Sequence, residues 1–553
     1  MFRLPRCFPA IVVLSLLCFG QSPNERSTST DAQSPSQPAV GPRSDLLREA
    51  NVFYRRGDFG HAILKYKEVL QEVPKSPDGW AGLVRSLIRA KNVAAAAQTA
   101  EQALATMDHP KIHSAHAEVL FRQGDPIEAE KEWVAVVNSG YPDARAYLGI
   151  ARVRQANSMY AGAAKMIRKA HDLNPDDPDI KELWLTTLPP AQRIEQLRSL
   201  LAEETDVDES QRTEISNFLD HAAEWRKDHE CALVSKVTTA EIPLLPASKD
   251  VKHRRGYRVS VTLNGRQQPL LLDTGASGIL VGRSFAREAG ITKFIPTMIK
   301  GIGGMGWTSA SIGFADSVKI GEFEFHNCPI RITDDYSLTD EGGLMGTDVF
   351  QKFLVDIDFP DQKLKLSELP GRPGEPRRAL SLSSGDSSLP SQDEQENENV
   401  TRDRYIAPEM QSFTPVYRFG HLLLVATSIG DVPPKLFVLD TGAASNFISR
   451  SAAEEVTKVR RRSNISVTGL GGSVNDVYTA KKTVLRFGHL SQENQEMIGF
   501  DTAQQSDNAG IEISGFLGFT TLRMLDITID YRDGLVNFSY DAKKWKDVRR
   551  HHR

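Results

Sequence analysis

The sequence predicts a multidomain chain of the α plus all-β class: an N-terminal α-solenoid followed by two similar β-barrel-like lobes. Three observations carry this prediction. Between Ser44 and Pro175, small and large apolar residues recur at helical spacing with a period close to 34 residues. Near Ile242 the apolar period changes from helical to two. From there to the C-terminus one framework is written twice, an apolar strand running straight into Asp-Thr-Gly, once as Pro269–Ser277 and once as Lys435–Ala444.

The helical elements come in four sets. Ala50, Phe53, Ala62, Tyr66 and Val69 form the first, and Trp80, Leu83, Leu87, Ala96, Ala100 and Ala103 the second. Ala117, Leu120, Ala129, Trp133 and Val136 form the third, and Tyr147, Ala151, Ala163, Ile167 and Ala170 the fourth. Small residues stand where two helices approach closely, and Gly57-Asp58 and Gly124-Asp125 fall in the inter-helix turns. The repeats are expected over 44–177. Helices over 178–235 are expected to cap the stack, because a terminal repeat needs a polar outer face.

Each β half is expected to begin with a hairpin. Tyr257–Leu263, the turn Asn264-Gly265, and the strand entering Asp273 form the first. Leu422–Ile429, the turn Gly430-Asp431, and the strand entering Asp440 form the second. The copies agree further on. Gly301-Ile-Gly-Gly304 is echoed by Gly469-Leu-Gly-Gly472, and Gly343-Leu-Met-Gly346 by Gly515-Phe-Leu-Gly518. The distance from the Asp to the end of the last element is 73 positions in one half (273 to 346) and 78 in the other (440 to 518). An apolar strand that ends in a carboxylate and then a Gly turn holds an acid rigidly at the floor of a cleft. Two copies predict two carboxylates that meet. The lobes are expected over 236–366 and 413–545, joined by a Pro-, Ser- and Glu-rich linker over 367–412.

Composition bounds the rest. At 553 residues, with 40% apolar and 25% charged residues, the chain has room for three or four ordinary soluble domains. A net charge of −4 argues against a nucleic-acid partner, and Arg460-Arg461-Arg462 reads as a solvated loop or helix face. Arg3, Arg6 and the apolar run Cys7–Phe19 read as a signal peptide over 1–20, followed by a tether over 21–43. The expected location is therefore exported, periplasmic or secreted, with lipid anchoring at Cys18 as the variant. No other stretch is long and apolar enough to span a membrane. Of the four Cys, Cys231 and Cys328 would remain after cleavage, as one disulfide or as two thiols. The 13 His show no metal spacing, and neither a zinc-protease motif nor a Gly-x-Ser-x-Gly elbow occurs, so no metal and no cofactor is expected. Asp356, Asp358 and Asp530 read as strand-end or turn carboxylates.

Asp-Thr-Gly-Ala on a strand, then a Gly-rich hairpin, then an apolar-apolar-Gly element, resembles the retropepsin-like aspartic proteases, above all the bacterial aspartyl protease domains attached to repeats. The resemblance covers about 250–366 and 415–540. The small–large pattern of the helices resembles the tetratricopeptide repeat. The resemblance implies an aspartic-type endopeptidase with Asp273 and Asp440 as its catalytic dyad. Thr274 and Thr441 would then bond across the lobe interface, and Gly275 and Gly442 would let the backbone turn tightly. Gly301, Gly303 and Gly304, with Gly469, Gly471 and Gly472, would form flaps over a peptide or protein substrate. The chain departs from the pattern in having Thr347-Asp348 and Phe519-Thr520 after the last Gly, and no flap Tyr nearer than Trp307 and Tyr478. The helical arm would recruit substrate or a protein partner. The alternative is a catalytically inert peptide-binding or scaffold protein that works through its repeats.

Overall fold

Ten helices run from Pro42 to Glu203 in a computed structural model of the chain. It describes residues 42–203, 212, 215–216, 219–220, 231–247, 256–292, 294–301, 307–334, 342–373, 402–462, 466–469 and 472–544. The expected signal peptide with Cys18, the tether up to residue 41, and 374–401 of the linker lie outside the described residues. The chain divides into two compact units, one helical and one β-rich.

In the helical unit the pairs are α1 (Pro42–Arg55) with α2 (Phe59–Glu72), α3 (Pro77–Arg89) with α4 (Val93–Thr106), and α5 (Pro110–Arg122) with α6 (Pro126–Asn138). Then come α7 (Ala144–Ala156) with α8 (Tyr160–Leu173), and α9 (Pro178–Thr187) with α10 (Pro190–Glu203). Local chemistry sets the starts. Asp58, Ser76, Asn92, Asp125 and Asp177 each accept hydrogen bonds from first-turn N–H groups. Pro follows in the first turn of α3, α6 and α9. The small residues perform the close approach expected of them. A Cβ on Gly82 would lie 2.2 Å from the Tyr66 ring, and one on Gly149 would lie 2.2 Å from the Trp133 ring. Ala62, Ala96, Ala129 and Ala163 are buried. A buried ionic cluster ties the first pair to the last. Arg145 donates to Asp177 and Asp179, each at 2.6 Å, and Tyr54 on α1 donates to Asp179 at 3.0 Å. Arg89 also pairs with Asp179. The expected capping region stops short of residue 235, because Ala232–Leu233 is a strand of the β unit.

The first lobe contains β1 (Ala232–Leu233), β2 (Ala240–Pro243), β3 (Leu245–Pro246), β4 (Tyr257–Leu263), β5 (Arg266–Asp273) and β6 (Ile279–Gly282). It continues with β7 (Ile295–Lys300), β8 (Trp307–Ile320), β9 (Phe323–Thr333), β10 (Leu344–Gly346), β11 (Phe353–Asp358) and β12 (Lys363–Glu368). Nine of these form one sheet in the order β1-β9-β6-β10-β5-β4-β8-β7, with β3 on β4. A disulfide joins Cys231 to Cys328, with Cα atoms 4.3 Å apart, and fastens β1 to β9.

The second lobe repeats the plan with β13 (Thr414–Pro415), β14 (Tyr417–Phe419), β15 (Leu422–Ile429), β16 (Lys435–Leu439), β17 (Phe447–Ser449) and β18 (Arg460–Arg462). It ends with β19 (Val467–Gly469), β20 (Gly472–Val474), β21 (Val477–Phe487), β22 (Leu490–Phe500), β23 (Gly515–Leu517), β24 (Asp526–Asp530) and β25 (Leu535–Ser539). Its main sheet runs β14-β15-β16-β23-β17-β22-β21-β18. The Arg460–Arg462 run is thus a strand at the sheet's edge rather than a loop or helix face, with Arg461 paired to Asp476 and Arg462 to Glu496. Charge on an edge strand blocks further pairing there.

The terminal strands of the two halves join one another. A six-stranded sheet runs β13-β25-β24-β11-β12-β2, and β11 pairs antiparallel with β24 across the lobe boundary. Val355, Ile357, Ile527 and Ile529 are all fully buried on one face. The opposite face carries Asp358 opposite Asp526, Asp356 opposite Thr528 and Asp530 opposite Leu354. Asp358 and Asp530 are turn carboxylates, accepting from the N–H groups of Asp361 and Asp533 at 3.0 Å. Asp356 is not: it lies mid-strand beside Asp526, and Lys365 stands 3.8 Å away and is closer to Asp358. Burial, reinforced by Asp526, pushes the Asp356 carboxyl up to about 7. A carboxyl whose pKa is raised by folding stabilises the fold less as pH climbs from the ordinary carboxylate range through its raised value. The melting temperature of Asp356→Asn is therefore expected to gain on that of the unsubstituted chain between about pH 4 and about pH 7, and to run parallel above. Parallel curves throughout would show that this carboxyl does not strain the joint.

Candidate active site

Each Asp-Thr-Gly loop sits where a strand meets a parallel partner that arrives much later in the chain. In the first lobe β10 lies parallel to β5, with Gly346 opposite Asp273, and antiparallel to β6. In the second, β23 lies parallel to β16 and antiparallel to β17. The apolar-apolar-Gly elements pack directly under the loops. A Cβ on Gly346 would lie 2.4 Å from the Ala276 carbonyl oxygen, and one on Gly518 would lie 2.0 Å from that of Ser445. Only glycine fits at these two places.

The two loops interlock. Thr441 Oγ1 accepts from the Thr274 N–H at 3.0 Å and donates to the Leu272 carbonyl at 2.9 Å. Thr274 Oγ1 accepts from the Thr441 N–H at 3.0 Å and donates to the Leu439 carbonyl at 2.7 Å. Both threonines are buried. Thr441→Val removes one hydroxyl and leaves a buried donor and a buried acceptor unpaired. The expected cost is roughly 2–4 kcal/mol, read from the denaturant midpoint of the β unit. An unchanged midpoint would mean that these bonds do not hold the lobes together.

The interlock brings Asp273 and Asp440 side by side, each carboxyl hydrogen-bonded to the other. Asp273 also accepts from the Gly275 N–H at 2.7 Å, and Asp440 from those of Gly442 and Ala443 at 2.9 and 2.8 Å. Gly275 and Gly442 serve differently from the tight turn expected of them. Neither adopts the left-handed region. Each instead faces the other lobe's acid. A Cβ on Gly275 would lie 2.9 Å from Asp440 Cγ, and one on Gly442 would lie 2.4 Å from Asp273 Cγ.

Burial raises the pKa of both acids. Asp440 is pushed well above the carboxylate range, first by burial and then by the adjacent charge of Asp273. Asp273 is raised less, because the Gly275 N–H and its neighbours stabilise its ionised form. Two acids in contact titrate as a pair and share one proton over a broad pH range. The arrangement can hold a water, take a proton from it, and give one back on the other side.

The flap glycines divide. In the second lobe Gly469 and Gly472 face each other across a separate β19–β20 hairpin, while Gly471 lies outside the described residues. In the first lobe β7 and β8 form the hairpin, with Gly301 at the end of β7, and Gly303 and Gly304 outside the described residues. Tyr478 is not a flap-tip aromatic: it is buried on β21, donates to Asp476 at 2.6 Å, and lies under Arg450. Among the described residues no three His, Cys, Asp or Glu are grouped to hold a metal ion.

Two supports went unnoticed in the sequence. Asp348 accepts from Ser277 Oγ at 2.9 Å and from the Gly278 N–H at 2.8 Å, bracing the first loop. Asn446 does the same work in the second, accepting from the Gly518 N–H at 2.9 Å. Asp348 follows Gly346 by two positions, so its place after the apolar-apolar-Gly element was the available signal.

Residues 259–349 and 425–521 match the family model described as aspartyl protease. Residues 53–119 match that of the tetratricopeptide repeat. A thermophilic tetratricopeptide repeat protein of Thermus thermophilus is a similar solved structure, at 17% identity over 32% of this chain and 98% of its own, with a TM-score of 0.26. No curated protein matches the chain. The aspartyl protease model thus matches once in each β lobe, and the tetratricopeptide model matches within the helices that precede them in the chain.

Proposed function

We propose that this chain is an exported aspartic endopeptidase, and that its helical arm recruits substrate or a partner protein. The observation that carries the reading is the meeting of Asp273 and Asp440 of one chain, hydrogen-bonded to each other where the two interlocked Asp-Thr-Gly loops join. Asp273, the more readily ionised, takes a proton from a water held between the acids. Asp440 donates its proton to the scissile carbonyl oxygen as the water oxygen bonds to the carbonyl carbon. The resulting neutral diol collapses when the amide nitrogen is protonated by Asp273 and leaves as an amine, and the diol proton returns to Asp440. No covalent enzyme intermediate forms. The Cys231–Cys328 disulfide supports an oxidising compartment, in keeping with export.

The test is hydrolysis of a mixed peptide pool by the mature chain from mildly acid to neutral pH, with and without pepstatin. Pepstatin-sensitive cleavage that disappears in Asp273→Asn and in Asp440→Asn is expected. Cleavage that survives either change would sink the dyad, and no cleavage even without the helical arm would make the chain a binding module.

A further inference from the structure

Beyond the Asp-Thr-Gly loops lies a histidine that no motif marks. His421 stands in the turn between β14 and β15 of the second lobe, and its Nε2 donates to the carbonyl of Gly275 in the first lobe at 3.1 Å. The N–H of that same Gly275 donates to Asp273. One residue therefore separates the imidazole from the acid. The His421 turn is itself fixed. Arg418 donates through Nε to the Gly420 carbonyl at 2.9 Å, through Nη1 to the Tyr531 carbonyl at 2.6 Å, and through Nη2 to Gln351 at 3.0 Å. The first loop is then held at Ser277 and Gly278 by its own lobe, through Arg331 and Asp348, and at Gly275 by the other lobe.

We propose that His421 is a positioning residue for the dyad, holding the Gly275 peptide so that its N–H stays aimed at Asp273. The inference rests on the protease reading for its consequence in turnover, but not for its structural content. The charged groups facing the imidazole are Asp348, Arg331 and Arg418. Burial lowers its pKa, so it stays neutral, with the proton on Nε2, into the mildly acid range. A second proton would put a positive charge on the ring within reach of the Asp348 carboxylate, which already holds Ser277 and Gly278.

The experiment compares the full chain with His421→Gln, which keeps an N–H donor but does not titrate, and His421→Phe, which keeps bulk and loses the donor. kcat of the Phe variant is expected to fall roughly ten- to a hundredfold with KM within about twofold, and the Gln variant to recover most of it. The Gln profile should also lose the acid-side inflection that His421 contributes. Equal kcat in all three chains, or equal damage in both variants, overturns the proposal. Should the Phe variant not fold, the acid limb of the Gln variant decides, and an unchanged limb overturns it. A second readout needs no turnover. The dyad's carbon-13 carboxyl titration should move in the Phe variant and not in the Gln variant. If the unsubstituted chain cleaves nothing yet the titration responds in this way, the protease reading fails and the positioning stands. If it cleaves and neither readout notices His421, the positioning fails and the protease reading stands.

Discussion

Asp440→Asn is expected to lower peptide turnover by about a thousandfold or more, and at neutral pH to raise the melting temperature of the same chain. The two effects have one cause. Asp440 is the acid that keeps its proton, because burial and the charge of Asp273 both oppose its ionisation. An asparagine can still donate a hydrogen bond there, but it cannot hand over a proton, so the carbonyl oxygen loses its acid. The folded chain holds at Asp440 a proton that the unfolded chain gives up above the ordinary carboxylate range. Stability is therefore lost as pH rises through the raised pKa, and the neutral amide removes that loss. Activity assays paired with thermal melts at acid and neutral pH check both halves. Lost activity with an equally lowered melting temperature would mean that the substitution merely breaks the fold.

Gly442→Ala is expected to damage both fold and turnover, and to do so more than Gly275→Ala. The new Cβ would stand 2.4 Å from Asp273 Cγ and Oδ2, inside any real contact distance, while the equivalent change at Gly275 meets Asp440 Cγ at 2.9 Å. The acid cannot simply swing aside, since it is tied to the Gly275 N–H. Relief requires parting the Thr274–Thr441 interlock. A loss of about 3 kcal/mol and at least a hundredfold in kcat is expected, with Gly275→Ala milder on both counts. Denaturant midpoints and turnover of the two variants provide the ranking, and equal behaviour would refute the claim that each glycine exists to admit the opposite acid.

Much of this site was legible because its code is local. A strand ending in Asp-Thr-Gly is short-range information, and its second copy made it convincing. What the sequence hid was pairing between distant segments. Alternating Val355 and Ile357, like Ile527 and Ile529, announces a strand with one buried face but does not name its neighbour, so the six-stranded joint between lobes went unread. The same holds for Asp356, whose unusual character comes largely from burial in that joint and from Asp526 on the adjoining strand. Cys231 and Cys328 are 97 positions apart, and spacing alone could not choose between a bridge and two thiols. His421 carried no such signal, since it lies outside the duplicated elements and reaches Gly275 only through the fold. Gly275 and Gly442 were singled out for freedom of the backbone, whereas in the fold each faces the other lobe's acid and leaves it room.

The shared six-stranded sheet also bears on why the two lobes travel as one polypeptide. Separated, the halves would each bare an interior strand, β11 on one piece and β24 on the other, with a full row of unsatisfied main-chain groups and a fully apolar face behind it. Such an edge seeks any antiparallel partner, including its own copy, and self-pairing would place two identical Asp-Thr-Gly loops together in a symmetric particle. Covalent linkage removes that competition. It lets the two acids evolve separate surroundings, and the chain uses that freedom in bracing the first loop with Asp348 and the second with Asn446.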